Sequence, residues 1–367
     1  AGELQRGVSL LFEAAESAAG TDMRAALRLL LLRDDALADL DGNHAGRIDG
    51  WLLASRVARA ASRPAEGLDW GRKALELARF HQDREAIVRA LQCICSCQRL
   101  LGEIDEARRA IENALHLSDG LPPMLRAETL YQCAAVMLDT GEIRGCERTV
   151  RRAMQLPQEV TRRVRSGALL GYVMALQGDM EGALTTLHEL LPVAEGSGDR
   201  GSISDLHNVL GEVERIRGRE ERAEGHYRKA LEVLAGTGIV APACRANLAQ
   251  TLLARGDVRE AKTMLDRVSQ EAHEIGARML ILVAHAGLVA CAADMRSWGA
   301  MDANLQALED DRGGLATEDI ATCLRYAGTH AMVLEKGELG RRALVLAAAQ
   351  FEQLGRREEA ADLRELL

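Results

Sequence analysis

Cys93, Cys95 and Cys97 are the densest group of chemically capable side chains in this sequence. Cys93 and Cys97 lie one helical turn apart and would share a helix face, which is what a soft metal or a redox partner requires. A complete metal site needs more sulfur or imidazole, and no histidine or further cysteine follows closely. The remaining cysteines (Cys133, Cys146, Cys244, Cys291, Cys323) have neither paired metal-ligand spacing nor the look of a secreted disulfide framework. Most of the eight are therefore expected to be reduced, small core residues. The nine histidines are dispersed, with no nucleophile or acid converging on any of them in sequence. There is no Gly-x-x-x-x-Gly-Lys-Ser/Thr loop, no His-Glu-x-x-His, no Gly-x-Ser-x-Gly and no kinase His-Arg-Asp. The expectation is a protein that is not an enzyme and carries no cofactor and no metal. One charge anomaly stands out: Arg144, Arg148, Arg151, Arg152, Arg162, Arg163 and Arg165 run together against only Glu147 and Glu159. Guanidinium groups on neighbouring helices hold carboxylates or phosphates, so Arg148, Arg151, Arg152, Arg162, Arg163 and Arg165 are a candidate anion or acidic-partner patch. The alternative is a solvated outer face with ion pairs to adjoining units.

The elements that position these residues follow from composition and spacing. Hydrophobic residues make up 47% of the 367-residue chain while aromatics make up 3%, so the apolar content is Ala, Leu and Val, as in closely packed helices. Six prolines (Pro64, Pro122, Pro123, Pro157, Pro192, Pro242) read as punctuation at breaks in the helical pattern. The net charge of −9 argues against general nucleic-acid affinity. No apolar run is long enough to span a bilayer, and no leader pattern opens the chain, so a cytoplasmic protein without membrane contact is expected. The missing initiator methionine suggests a segment of something longer.

Self-similarity is the strongest signal. A turn followed by a helix is expected at Ser62, Gly102, Gly141, Gly178, Gly218, Gly256, Arg296 and Gly337, at intervals of 40, 39, 37, 40, 38, 40 and 41 residues. Five residues past each anchor stand Gly67, Ala107, Cys146, Ala183, Ala223, Ala261, Met301 and Arg342, six of the eight small, which lets two helices approach closely. Nine past it stand Gly71, Ile111, Val150, Leu187, Tyr227, Leu265, Leu305 and Leu346. Twelve past it stand Ala74, Ala114, Ala153, Leu190, Ala230, Val268, Leu308 and Ala349, and eight before it Ala54, Ile94, Cys133, Leu170, Leu210, Leu248, Leu288 and Thr329. Small and large residues alternate along one helix face, so each unit is a helical hairpin whose apolar stripe is covered by its neighbours.

Gly102-Glu103-Ile104-Asp105-Glu106-Ala107 and Arg72-Lys73-Ala74-Leu75-Glu76-Leu77 resemble tetratricopeptide repeats, from about residue 48 to the end. Those repeats usually run 34 residues, so units of 37 to 41 imply longer helices or loops. Such stretched units, and the ending Phe351-Glu352-Gln353-Leu354-Gly355-Arg356-Arg357-Glu358-Glu359-Ala360, are similar to arrays C-terminal to bacterial signalling NTPases, ATP-dependent LuxR-type regulators and some serine/threonine kinases. The resemblance implies an all-α fold, a right-handed α-solenoid of about eight to nine hairpins. Residues 2 to 18 and 22 to 41 read as two further helices with Thr21 or Asp22 as N-cap. The expected organisation is thus N-terminal helices or a degenerate repeat over 1–45, the array over 46–354 and a capping helix over 355–367.

In such arrays the first helix of each hairpin lines the concave side, where peptides lie. Carried over by register, that inner surface holds Arg56, Arg59, Gln92, Ser96, Arg99, Tyr131, Tyr172, Asn208, Glu212, Arg215 and Gln250. From about residue 280 the equivalents are Ala286, Ala290, Ala293, Ala327 and Ala331, a groove closed or covered. The Lys and Asn arrangement with which certain tetratricopeptide domains clamp a carboxylate terminus is not reproduced. The expected function is a protein-interaction and regulatory or sensor module of a larger signalling protein, binding a protein or peptide in that groove. The alternative is a sensor of a small-molecule effector controlling an attached NTPase, kinase or DNA-binding domain, with its cavity around Tyr131 and Tyr172. An enzyme built on the scaffold is the third reading.

Overall fold

The computed structural model of the protein describes residues 2–19, 22–38, 44–235, 241–311 and 316–367. Among them every element is a helix. The first six are α1 (Gly2–Ala18), α2 (Met23–Ala38), α3 (His44–Ala60), α4 (Pro64–Phe80), α5 (Arg84–Leu101) and α6 (Ile104–Leu117). The next six are α7 (Pro123–Asp139), α8 (Ile143–Met154), α9 (Val160–Leu176), α10 (Met180–Ser197), α11 (Arg200–Ile216) and α12 (Glu220–Leu234). The last are α13 (Pro242–Ala254), α14 (Val258–Ile275), α15 (Arg278–Asp294), α16 (Trp298–Asp310), α17 (Glu318–Val333), α18 (Gly337–Gln353) and α19 (Arg357–Glu365). Thr21, one of two expected caps, lies outside the described residues; Asp22 caps α2 by accepting from the Ala25 N–H at 3.0 Å.

The turns obey the register through backbone conformation. Ser62, Gly102, Gly141, Gly178, Gly218, Gly256 and Arg296 all have φ between 54° and 91°, the left-handed region that ends a helix. The eighth anchor needs correction. Glu335, not Gly337, takes the left-handed conformation, with φ 60°, and Gly337 is already the first residue of α18. A shift of two residues replaces Arg342 by Gly340, Leu346 by Leu344, Ala349 by Ala347 and Thr329 by Ala327. All four replacements are buried. Gly340 has to be small, because a Cβ there would come within 2.7 Å of Met332 Cγ and 3.1 Å of the Gly328 carbonyl.

The other core positions are buried, apart from Leu190, which is half-buried. Ala107, Cys146, Ala183, Ala223, Ala261 and Met301 have no accessible surface, nor have Val150, Leu187, Tyr227, Leu265 and Leu305. Pro64, Pro123 and Pro242 open α4, α7 and α13, where a missing N–H costs nothing. Pro192 departs from the expectation: it stands inside α10, forgoing one ladder bond, while burial of Leu187 and Ala194 on either side keeps the helix together.

The chain divides into two compact units, Ala1–Arg217 with Lys229–Val240, and Gly218–Arg228 with Ala241–Leu367. In the first, α3, α5, α7, α9 and α11 pack side by side, each also packing on the helix that follows it as far as α10. In the second, one core runs from Ala246 to Leu363 and includes Phe351, and α19 packs on α18 through Ala360 and Leu363.

Candidate functional site

Ion pairs between successive first helices of the first unit fall one repeat apart. The Arg99 guanidinium grips Asp139 with Nε at 2.5 Å and Nη2 at 3.1 Å, a bidentate fork from α5 to α7. Arg162 of α9 pairs with Glu128 of α7 and lies 4.4 Å from the ring centre of Tyr131. Arg165 pairs with Asp205 of α11 at 3.0 Å and reaches Asp199 at 3.9 Å. Arg89 and Asp49 repeat the pattern more loosely at 3.9 Å between α5 and α3. Asp139 and Asp205 each lie forty residues beyond their arginine, the length of one repeat.

Arg59 breaks the ladder. Forty residues beyond it stands another arginine, Arg99, already held by Asp139. Among the described residues the Arg59 guanidinium has no hydrogen bond or ion pair, although the residue is half-buried; Arg56, one turn earlier and exposed, has none either. Burial, and after it repulsion from Arg165, pulls Arg59 below the ordinary arginine range. Arg165 is itself pushed down by burial, but Asp205, Tyr131, Asp199 and Glu128 together raise it above that range. For Arg99 the same burial is more than offset by Asp139.

These couplings relate side chains on different helices of the row. Arg59 lies within electrostatic reach of Arg165 on α9 and of Asp205 on α11, so these charged side chains face a common space. Within it Arg59 is a half-buried cation without a paired carboxylate, Tyr131 the flat surface and Arg162 the group laid over it.

The other inner-surface candidates have varied settings. Gln92 is buried and donates to Thr129 Oγ1 at 2.8 Å and to the Leu125 carbonyl at 3.3 Å, tying α5 to α7. Ser96 returns its hydroxyl to the Gln92 carbonyl at 2.9 Å. Tyr172 and Arg215 are half-buried on α9 and α11, and Asn208 donates to Glu212 at 2.9 Å on the same helix. Gln250, in the second unit, is buried and accepts from the Cys323 thiol at 3.0 Å, so it is committed to the core. Ala286, Ala290, Ala293, Ala327 and Ala331 are buried as well.

The arginines of the run have different settings on two neighbouring helices. Arg148, Arg151 and Arg152 are exposed on α8, with Arg151 paired to Glu147 at 2.9 Å. Arg163 is exposed on α9, whereas Arg162 and Arg165 are only partly exposed and belong to the ladder. Linear proximity merges them because the short loop after α8 brings two helices into one stretch of sequence. What separates them is a carboxylate on a neighbouring first helix: Asp205 lies forty residues beyond Arg165, an offset legible in the sequence, while Glu128 lies 34 residues before Arg162.

The three clustered cysteines are packed in the helical interior. Cys93, Cys95 and Cys97 are buried between helices, and burial pushes the Cys95 and Cys97 thiols up to about 12. Cys97 Sγ would lie 2.9 Å from a Cβ placed on Gly67, so it fills the close α4–α5 contact. Among the described residues no three His, Cys, Asp or Glu side chains are grouped to hold a metal ion.

Comparison with known proteins agrees with this architecture. A tetratricopeptide repeat model matches residues 242–267. No curated protein gives a significant match to the sequence. Among solved structures, a Rap protein complexed with Competence and Sporulation Factor is similar over 99% of both chains at 14% identity, with a TM-score of 0.66. Aspartyl phosphate phosphatase F from Bacillus subtilis matches 94% of this chain and 92% of its own at 12% identity, TM-score 0.54. A Signal Transduction ATPase with Numerous Domains from Pyrococcus horikoshii, with a tetratricopeptide repeat sensor, matches 91% of this chain and 54% of its own at 11% identity, TM-score 0.55. At these identities the likeness is one of fold: the chain is a tetratricopeptide-like, all-α helical repeat array.

Proposed function

We propose that this chain is a non-catalytic interaction and regulatory module that takes an acidic segment of a protein or peptide against the row α3, α5, α7, α9 and α11. The observation that carries this reading is Arg59, a half-buried guanidinium left without a carboxylate in a ladder where Arg99, Arg162 and Arg165 each have one. A charge kept partly desolvated and facing another arginine is relieved by an incoming anion. Tyr131 beneath Arg162 adds rigid contact area, as interface aromatics do. Two fold neighbours point the same way, one crystallised with a bound factor and one whose repeats are described as a sensor. The phosphatase neighbour invites an enzymatic reading, but nothing at this row combines a nucleophile with a base, and the module is assigned to binding. On this reading it is cytoplasmic and serves a larger signalling protein with an NTPase, kinase or DNA-binding part. Among the described residues no helix is long and apolar enough to cross a membrane.

The test is selection from a random peptide display library on the full chain. Peptides carrying Asp, Glu or a free terminal carboxylate are expected to enrich on the wild type and not on Arg56→Glu/Arg59→Glu, whose circular dichroism and melting should match wild type. Truncating either partner of a desolvated charge contact costs about 2–5 kcal/mol, so binding should fall at least tenfold. Equal enrichment on both proteins, or none with acidic character, would overturn the assignment.

A further inference from the structure

A second feature of the first unit is a cleft where α2 meets the first hairpin of the regular register. Helices α2, α3 and α4 enclose a cleft of about 240 Å³. Trp51 and Trp70, two of the three tryptophans in the chain, both line it. Arg47 lies over Trp51 at 4.9 Å and pairs with Asp34 at 3.3 Å; Arg63 is held by Glu66 at 2.7 Å. Arg33 is buried and spent on the Val8 and Gly46 carbonyls, at 3.2 and 2.7 Å. That leaves Arg24 and Arg28, one turn apart on α2 and exposed, with no ion pair among the described residues. Five arginines thus meet two carboxylates around one cavity.

The indole N–H of Trp51 supplies an independent observation. It is buried and meets no acceptor. Buried donors are almost always satisfied, and the exceptions in a folded protein call for a water or a ligand. Once the indole turns toward the cleft, since its nitrogen has essentially no accessible surface as it stands, an anionic oxygen there would accept from this N–H while excess arginine balances its charge. The walls set the rest of the ligand. Tryptophan faces favour a flat, apolar partner, and Leu27, Leu30 and Ala54 give an apolar floor. At roughly 30 Å³ per water the cleft has room for about eight waters, less than the ~300–1,000 Å³ of pockets that take drug-sized molecules.

We propose that this cleft binds a small aromatic carboxylate of one or two rings, its oxygens accepting from the Trp51 indole and facing Arg24 and Arg28, its ring against the tryptophans. The site is separate from the α3–α11 row and does not rest on that assignment.

Calorimetric titration of the full chain with benzoate tests the proposal, with tryptophan quenching as a second readout. Saturable binding is expected for benzoate; cyclohexanecarboxylate, equally charged but not flat, should bind several-fold more weakly, and benzamide, flat but neutral, at least tenfold more weakly. Trp51→Phe keeps an aromatic face and removes the N–H, and should weaken benzoate about tenfold. Arg28→Gln lies on the surface, should leave melting unchanged, and should weaken it several-fold. Arg59→Glu should leave benzoate affinity as in wild type, which separates this cleft from the proposed acidic-segment site. Absence of saturation with benzoate, or unchanged affinity in both Trp51→Phe and Arg28→Gln, overturns the proposal.

Discussion

At the scale of single residues, the same side chain does opposite things according to whether a partner stands one repeat away. Arg99 is fixed by Asp139, and Arg59 at the equivalent place in the preceding hairpin faces Arg165 instead. Cysteine shows the complementary case, in which reactivity is removed by burial. Burial pushes Cys95, Cys97, Cys146 and Cys291 up to about 12 from an ordinary 9.0. At pH 8 a thiol titrating there is ionised to only about one part in ten thousand. Native protein should therefore react with a thiol-specific disulfide reagent far more slowly than unfolded protein, which should release all eight equivalents at once. The sign of the linkage follows from the raised value: below about pH 9 the thiols are protonated in both states and stability is unaffected. Between about 9 and 12 the unfolded chain ionises first, so stability should fall as pH rises. Rapid modification of Cys93, Cys95 or Cys97 in the native state would mean that the cluster is accessible and chemically active after all.

Among the elements, the decisive feature is the left-handed residue that ends the first helix of each hairpin. Glu335, Ser62 and Arg296 occupy it without being glycine, each with some strain, since an L side chain crowds the following carbonyl there. Glu335→Gly should stabilise the protein by about 0.5–1 kcal/mol, the relief of that crowding less the extra freedom of glycine in the unfolded chain. Gly337→Ala should be neutral or slightly stabilising, because position 337 opens α18 and a Cβ there meets only Arg341 at 3.4 Å. Urea denaturation followed by circular dichroism measures both; a Gly337→Ala variant that loses more than about 1 kcal/mol would return the turn to Gly337. The two-residue slip also shows where sequence periodicity reaches its limit. Spacing located seven turns because Gly or a compliant residue stood at each, and misplaced the eighth because a glycine two residues on is the more conspicuous turn former. The ladder was half legible: the arginines were visible in the linear run, while their carboxylates had to be sought a full repeat away. The cleft was not legible at all. It is formed by α2 outside the repeating register, and a cavity is a property of how three helices diverge, which periodicity does not encode.

For the molecule as a functional object, the consequential fact is that α3 serves two places in the first unit. Gly50, Trp51 and Ala54 line the cleft, while Arg56 and Arg59 follow on the same helix. The helix is stiffly joined to α4: Ser55 Oγ donates to the Gly67 carbonyl at 2.6 Å, and a Cβ on Gly67 would meet the Ser55 carbonyl at 2.8 Å. So close a contact moves as a body, because packed helices shift between discrete arrangements instead of deforming smoothly. An aromatic carboxylate that repositions α3 against α2 would then carry Arg56 and Arg59 with it and alter the affinity for an acidic segment. Thermodynamic linkage makes the effect reciprocal: saturating benzoate should change the affinity of a selected acidic peptide by some factor, and saturating peptide should change the affinity of benzoate by the same factor. Couplings of this type are typically about fivefold or more. Measured by calorimetry in both directions, two equal factors different from one would make the cleft a control site for the binding row. Factors of one in both directions would leave two independent sites on a rigid helix, and unequal factors would show that the two ligands compete for more than these two places.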